Sequence, residues 1–336
     1  MKSYFNFKLI LFVFLTVFGF LPSTVSAITL SPTRLELSGN PGDIIENELS
    51  IINESQNTEN YYVDFANFEA SGETGDPSFS VPEDGLGTWI KVNDFNVGVG
   101  PQEEKKVPFK IEIPKDARPG GYFAVIFFGN SPSNIGGRSV GVGSQAGVLI
   151  LLSVLGDVKE QAGVFDFNTK NKQFFYKTLP VNFEYRLKNE GDDRIKPVGK
   201  VRIHNTLFIP TEKIDANPSN GNVLPRSTRK FNLTWIENSK GENYREKDSF
   251  FGRFFDNVKY EWQNFALGFY TANLKVVYGV NETRTSDFTF FFVFPWELVI
   301  LLILVFIIIY FIGKKLITRY NRHIIEKATK SFNSKN

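Results

Sequence analysis

Residues 181–187 read Val-Asn-Phe-Glu-Tyr-Arg-Leu, and this strict alternation of apolar and polar side chains indicates how the middle of the chain folds. Successive side chains of a strand point to opposite faces, so one face of this stretch enters a core and the other meets water. The same period of two recurs at 49–51, 61–65, 107–113, 231–235 and 274–278. Many short alternating strands predict antiparallel sheets.

Turn signals separate these alternating runs. They include Pro41-Gly42, Gly75-Asp76-Pro77 and Pro119-Gly120-Gly121, which are combinations typical of tight turns. The sequence shows no regular alternation of strands with helices. We therefore predict an all-β fold of two tandem immunoglobulin-like antiparallel β-sandwiches, over residues 28–157 and 158–293, followed by one transmembrane helix.

Two apolar stretches bracket the predicted strands. Residues 8–21 are apolar, lysines lie at their start, and Val25-Ser26-Ala27 follows as a small-residue cleavage site. This pattern predicts a secretory signal peptide over residues 1–27. Residues 294–313 form a second apolar stretch of about 20 residues, enough for a helix of roughly 30 Å to cross a bilayer.

The charge that follows this stretch predicts its orientation. Residues 314–336 contain seven basic residues and one acidic residue, and an excess of Lys and Arg marks the cytoplasmic side of a span. We therefore predict a single-pass protein of the cell membrane, with an extracytoplasmic N-terminal part and a cytoplasmic tail. The basic anchor comprises Lys314, Lys315, Arg319 and Arg322.

Composition limits the chemistry and the partners. The chain has no cysteine and only two histidines, so cysteine chemistry is excluded and histidine-based catalysis is disfavoured. Acidic residues slightly outnumber basic ones between the two apolar stretches, which disfavours nucleic acid as a partner. The expected partners are the lipid bilayer, peptidoglycan, and cell-surface or secreted proteins.

No segment carries a convincing catalytic, cofactor or metal motif. His204 is interpreted as an exposed strand residue, and Gly141–Gly147 lacks the spacing and the following helix of a phosphate-binding loop. Acidic clusters such as Glu73–Asp76 are interpreted as solvated turns; a surface calcium site and a pair of carboxylates for sugar cleavage are the alternatives. We expect no enzyme activity and no cofactor.

Residues 250–265 break the strand pattern, because their apolar positions follow a helical period. Connectivity places this segment at the membrane-facing end of the second domain, since the strand after it is predicted to pair with the last strand before the span. One interpretation is a helix in the lipid headgroup region, and the other is a helix packed on its own sandwich. The predicted membrane-interface residues are Phe251, Phe254, Phe255, Trp262 and Trp296.

Motifs in the first domain resemble a known family. They are Ser31–Leu37, Pro41-Gly42 before the strand Glu48–Asn53, Glu104–Pro114 and Pro119–Phe123. With the apolar ends, the chain resembles the bacterial WxL-interacting cell-surface proteins. The resemblance covers the whole length in layout and residues 28–155 in motifs. It implies a non-enzymatic adaptor whose first domain associates with peptidoglycan and whose second domain binds partner proteins; the helical segment departs from that pattern.

The layout is also similar to that of pilus-type periplasmic chaperones, which have two immunoglobulin-like domains and bind subunits by strand addition. Pro108 lies inside a predicted strand and indicates a sheet edge. The sequence thus favours a membrane-anchored binding or adaptor protein of the bacterial cell surface. The alternative is an accessory subunit that docks on a membrane complex through its span and aromatic helix.

Overall fold

The structure is a computed structural model, and it describes residues 28–131, 145–235 and 250–333. The predicted signal peptide and the middle of the Gly- and Ser-rich segment near 130–147 lie outside these residues. The chain forms two compact units. Unit 1 consists mainly of residues up to Glu160, and unit 2 mainly of residues from Gln161 onward.

Unit 1 is a β-sandwich of two sheets. The first sheet contains, in spatial order, β1 (Ile28–Ser31), β3 (Ile44–Asn53), β8 (Glu104–Glu112) and β6 (Ile90–Val92). The second contains β2 (Arg34–Gly39), β10 (Gln145–Val154), β9 (Gly120–Gly129), β4 (Glu59–Ser71) and β5 (Asp76–Ser80), with β7 (Asn96–Val99) also paired to β4. A short helix, α1 (Leu86–Trp89), precedes β6. Among the described strands of unit 1, only β2 and β10 pair in parallel.

The alternating sequence explains the core of unit 1. Val107, Phe109 and Ile111 of β8 are each at most 6% exposed, while the residues between them are not buried. Pro108 lies on an open edge, because β6 pairs only with 109–111 of β8 and β3 occupies the other side. A proline is tolerated there because it has no N–H to donate to a neighbouring strand.

Unit 2 contains a second β-sandwich. Its smaller sheet has the order β11 (Ala162–Thr169), β13 (Val181–Asn189), β16 (Thr228–Trp235). Its larger sheet has the order β12 (Phe175–Tyr176), β18 (Thr283–Val293), β17 (Gly268–Tyr278), β14 (Val198–His204), β15 (Pro210–Asp215), and a 3-10 turn spans Lys170–Lys172. Two helices complete the unit, α2 (Phe250–Gln263) and α3 (Trp296–Asn333).

Aromatic side chains fill the core of unit 2. Phe291 is fully buried and its ring contacts those of Phe183, Trp235 and Tyr270 at centroid distances of 5.5–6.0 Å. Tyr185 is also buried, and its hydroxyl donates a 2.8 Å hydrogen bond to the carbonyl of Ala216. This bond satisfies the polar end of a side chain that is otherwise surrounded by apolar groups.

One predicted strand was too long. The sequence suggests a strand from Val201 to Ile209 with Leu207 and Ile209 on its buried face. In the structure β14 ends at His204, and the apolar residues after it form an exposed hairpin tip. The hydrophobic pattern continues past the end of the strand, so periodicity alone does not reveal the turn.

Candidate functional site

Helix α3 is long and apolar enough to cross a membrane. The candidate span lies within Trp296–Glu326; an 18-residue window in it has a mean hydropathy of 2.8, and only 11% of that window is buried. Only Phe294 and Pro295 separate it from β18. The end of β18 therefore marks one end of unit 2, here named the proximal end, which lies next to this candidate span.

The strand register shows what else lies at the proximal end. Gly268, the first residue of β17, pairs with Val293, the last residue of β18. His204 at the end of β14 pairs with Thr271. The hairpin tip after β14 and the segment that joins α2 to β17 therefore lie at the same end as the start of α3.

Helix α2 exposes its aromatic residues. Phe251, Phe255 and Trp262 are 70%, 56% and 67% exposed, and Phe254 is half-buried with its ring 5.6 Å from that of Phe255. Trp296, the first residue of α3, is 38% exposed. Soluble helices normally place such side chains toward a core, so this face is suited to an apolar neighbour outside the unit.

A different side of α2 carries a buried polar residue. Glu261 on the helix and Asn264 just after it are 2% and 4% exposed, and α2 packs on α3. Tyr260 also donates a 3.3 Å hydrogen bond to the carbonyl of Leu179. The helix is therefore attached to its own unit in part through polar groups.

Two buried carboxyl groups join α2 to α3. Glu261 and Glu297 are each 2% exposed. Glu261 Oε2 accepts a 2.7 Å hydrogen bond from the backbone N–H of Leu298. That N–H lies in the first turn of α3, where backbone donors have no partner within the helix. Glu261 thus caps a helix of which it is not a part.

Glu297 has cationic and amide partners. Its Oε1 lies 3.3 Å from the Lys177 ammonium and accepts a 3.2 Å hydrogen bond from the Asn257 side chain. The same ammonium lies 4.9 Å from the centre of the Trp296 ring. Lys177 therefore stabilises both the carboxylate and the exposed indole at the start of α3.

Glu261 takes up a proton near neutral pH. Burial raises the pKa of Glu261 to about 7, and the hydrogen bond and charge of Glu297 add to this rise. Glu261 Oε1 and Glu297 Oε2 have no hydrogen-bond donor in the described part of the chain. A proton on Glu261 would give the pair a donor.

The outer surface of the larger sheet carries a second aromatic surface at the proximal end. Phe175, Phe269, Phe288 and Phe290 are 66%, 54%, 63% and 60% exposed. Phe174 and Phe292 join them through ring contacts of 4.6–6.5 Å. We call these six residues the phenylalanine face. The sequence indicates this face through the alternation of Phe288, Phe290 and Phe292, because these residues make β18 apolar on both of its faces.

The predicted basic anchor lies on α3. Lys314, Lys315, Arg319 and Arg322 are on the helix just after the apolar stretch 294–313, and all four are exposed. Within the described ranges no group of three or more metal-ligating side chains is found. His204 is partly exposed and its ring lies 3.5 Å from the Asn273 amide.

Comparison with known proteins yields only distant likenesses. No protein-family model matches the chain, and no curated protein matches it. Solved structures of fimbrial chaperones are similar: the class 5 fimbriae chaperone CfaA has a TM-score of 0.38 and 10% identity, with 79% of this chain and 99% of that chain covered. The chaperone–adhesin complex CsuC–CsuE of Acinetobacter baumannii has a TM-score of 0.36 and 10% identity, with 80% and 99% covered. Likenesses this low assign no function.

Proposed function

We propose that the protein is a membrane-anchored extracytoplasmic binding protein of the bacterial cell surface, with two immunoglobulin-like sandwiches that serve as an adaptor. In this proposal α3 is the anchor, residues 314–336 are cytoplasmic, and residues 1–27 direct export. The protein acts by binding and has no enzyme activity. Cell wall and surface proteins are its partners, as the resemblance to WxL-interacting proteins implies.

The observation that carries this proposal is the direct passage from sheet to span. β18 ends at Val293, and α3 begins three residues later at Trp296. This two-residue link, together with the Glu261–Leu298 hydrogen bond between α2 and α3, keeps the proximal end of unit 2 next to the start of the span. A protein restricted in this way meets only partners that lie on or near the membrane.

The wall-binding version is tested by sedimentation. Full-length protein in lipid nanodiscs is mixed with purified peptidoglycan sacculi, and empty nanodiscs serve as the control. Saturable co-sedimentation of the protein above the empty-disc background supports wall binding. Recovery no higher than that background, at protein concentrations well above those in the cell, contradicts it.

The phenylalanine face favours a second candidate function, an accessory subunit of a membrane complex. Phe288 and Phe290 lie on β18 six to eight residues before α3. At about 3.3 Å per residue along a strand, they are roughly 20–26 Å from the start of the span if β18 runs along the membrane normal. That height exceeds the headgroup layer, so a protein surface is the more suitable neighbour.

Replacing the exposed rings tests this second candidate. Phe288→Ser with Phe290→Ser removes two exposed rings of the face, and Val198→Ser is the control, because Val198 is 67% exposed on the same sheet away from the proximal end. Crosslinking in native membranes should retain the partner with the control and lose it with the double variant. Equal recovery from both would exclude the phenylalanine face as the contact.

A further inference from the structure

The tip of the β14–β15 hairpin presents three consecutive apolar side chains to solvent. Leu207, Phe208 and Ile209 are 74%, 82% and 52% exposed. Hairpin tips normally carry polar residues and glycine. Phe208 also has a left-handed backbone conformation, with a φ of 60°, which is uncommon for a bulky residue. The tip therefore combines two unfavourable features, the exposure of three apolar side chains and the left-handed φ of Phe208.

The tip is an ordered turn. The side chain of Asn205 accepts 3.0 Å hydrogen bonds from the backbone N–H groups of both Leu207 and Ile209. The Phe208 N–H donates to the Asn205 carbonyl at 2.8 Å, and the Asn205 N–H donates to the Ile209 carbonyl at 3.1 Å. Asn205 thus holds the three apolar residues in one fixed arrangement.

The register fixes the height of this tip. His204 pairs with Thr271, which pairs with Phe290. Two residues further along the chain, Thr206 Oγ1 accepts a 3.0 Å hydrogen bond from the N–H of Phe269 and donates a 3.1 Å hydrogen bond to the Phe269 carbonyl. Phe269 in turn pairs with Phe292. The turn at Phe208 therefore lies level with the residues that connect β18 to α3.

We propose that the Leu207–Ile209 tip inserts into the boundary between headgroups and acyl chains of the bilayer that α3 spans. This proposal rests on α3 being the anchor. The bilayer is the occupant because the tip lies at the height where the span begins and because its exposed groups are aliphatic and aromatic, as in segments that bind at the lipid interface. The tip joins β14 to β15 at one edge of the larger sheet, whereas α3 follows β18, two strands away from β14.

A second contact with the bilayer, in addition to the span, restricts the orientation of unit 2. A single span allows the unit to tilt and rotate over the membrane, whereas the span and the inserted tip together define an orientation. Phe269 of the phenylalanine face lies between these two points, since β17 lies between β18 and β14 in the sheet. The inserted tip would thus hold that face at a constant angle to the bilayer.

The absence of native cysteine allows a direct test with single-cysteine variants. Phe208→Cys and Leu207→Cys report on the tip. Ile303→Cys, in the apolar part of α3, is the positive control, and Val280→Cys is the negative control, because Val280 is 92% exposed in the turn at the other end of β17. Each full-length variant carries a fluorophore in phosphatidylcholine nanodiscs that contain lipids with a quencher at a shallow acyl position.

The expected result is quenching at 207 and 208 several-fold above that at 280, together with lower accessibility to a water-soluble quencher. If labels at 207 and 208 are quenched no more than at 280 while 303 is quenched, α3 spans the bilayer but the tip does not insert. Tip labels shielded from water without lipid quenching would indicate a protein neighbour and would also overturn the proposal. If the label at 303 itself is not quenched, the assignment of α3 as the anchor is contradicted together with the insertion of the tip.

Discussion

Glu261 on α2 accepts a 2.7 Å hydrogen bond from the backbone N–H of Leu298 on α3. The bond links the aromatic helix to the first turn of the candidate span, although the two residues are far apart in sequence. The carboxylate or carboxyl oxygen also meets the positive end of the α3 dipole, which adds to the attraction. The state of this buried carboxyl group therefore contributes to the position of the aromatic side chains of α2.

The raised pKa of Glu261 makes the docking of α2 dependent on pH. Its ordinary value is 4.5 and its folded value is about 7, so folding takes up a proton between these values. The stabilisation is fully present below about pH 4.5 and is lost as the pH rises through about 7. Hydrogen-exchange protection of 250–263, corrected for intrinsic rates, should be lower at about pH 8.5 than at about pH 5.5.

Glu261→Gln is the matched control for this pH effect. The amide keeps the shape of the side chain and an oxygen that can accept from Leu298, but it does not titrate. Protection of α2 in this variant should be nearly the same at both pH values. A pH dependence equal to that of the unchanged protein would show that another group is responsible.

Two adjacent phenylalanines of β18 should differ sharply in their contribution to stability. Phe291 is fully buried, and Phe291→Ala should lower the free energy of unfolding of unit 2 by about 3–5 kcal/mol. Phe290 is 60% exposed, and Phe290→Ala should change the free energy of unfolding of unit 2 by no more than about 0.5 kcal/mol. Pulse proteolysis over a urea series measures both, and similar losses would contradict the assignment of the two faces.

Asn53 in unit 1 holds a loop through its side chain. It is fully buried and donates to the carbonyls of Asn57, Val99 and Gly100 at 2.7–3.0 Å. Asn53→Ala leaves these acceptors without that donor and should destabilise unit 1 by about 1–3 kcal/mol. Asn96→Ala, at an exposed position in the same unit, should have little effect when the two variants are compared by pulse proteolysis.

The exposed face of α2 and Trp296 are expected to meet lipid. In nanodiscs with brominated lipids, fluorescence from Trp262 and Trp296 should be quenched, whereas Trp235, which is 1% exposed inside unit 2, should not be. Trp262→Phe and Trp296→Phe together should remove most of the quenchable emission. Unchanged quenching in that double variant would place the lipid contact elsewhere.

Local patterns predicted much of the fold. The alternation at Val181–Leu187 became β13, and the helical period near 250–265 became α2. The pairing of the last two strands through the turn after Tyr278 also agrees with the structure. Each of these features depends on side chains that are close in sequence, and the period of the apolar positions is visible there.

The features that the sequence did not predict depend on distant residues. The helical pattern of α2 groups Glu261 with the polar positions, but Glu297 and Leu298 provide it with a buried site. Leu207 and Ile209 continue an apolar alternation, although Asn205 turns the chain back before they can join a strand. For Leu207 and Ile209, no local signal distinguishes a residue that fills a core from one that is exposed at a surface.

The proposed function depends most on which side of the membrane holds the β-sandwiches. Val280→Cys and Arg322→Cys, each in the full chain, are treated with a membrane-impermeant maleimide in cells whose wall has been removed. If the β-sandwiches are extracytoplasmic, Cys at 280 is labelled while the membrane is intact, and Cys at 322 is labelled only after the membrane is permeabilised. Labelling at 322 in intact cells, or at 280 only after permeabilisation, would contradict the proposed extracytoplasmic binding function.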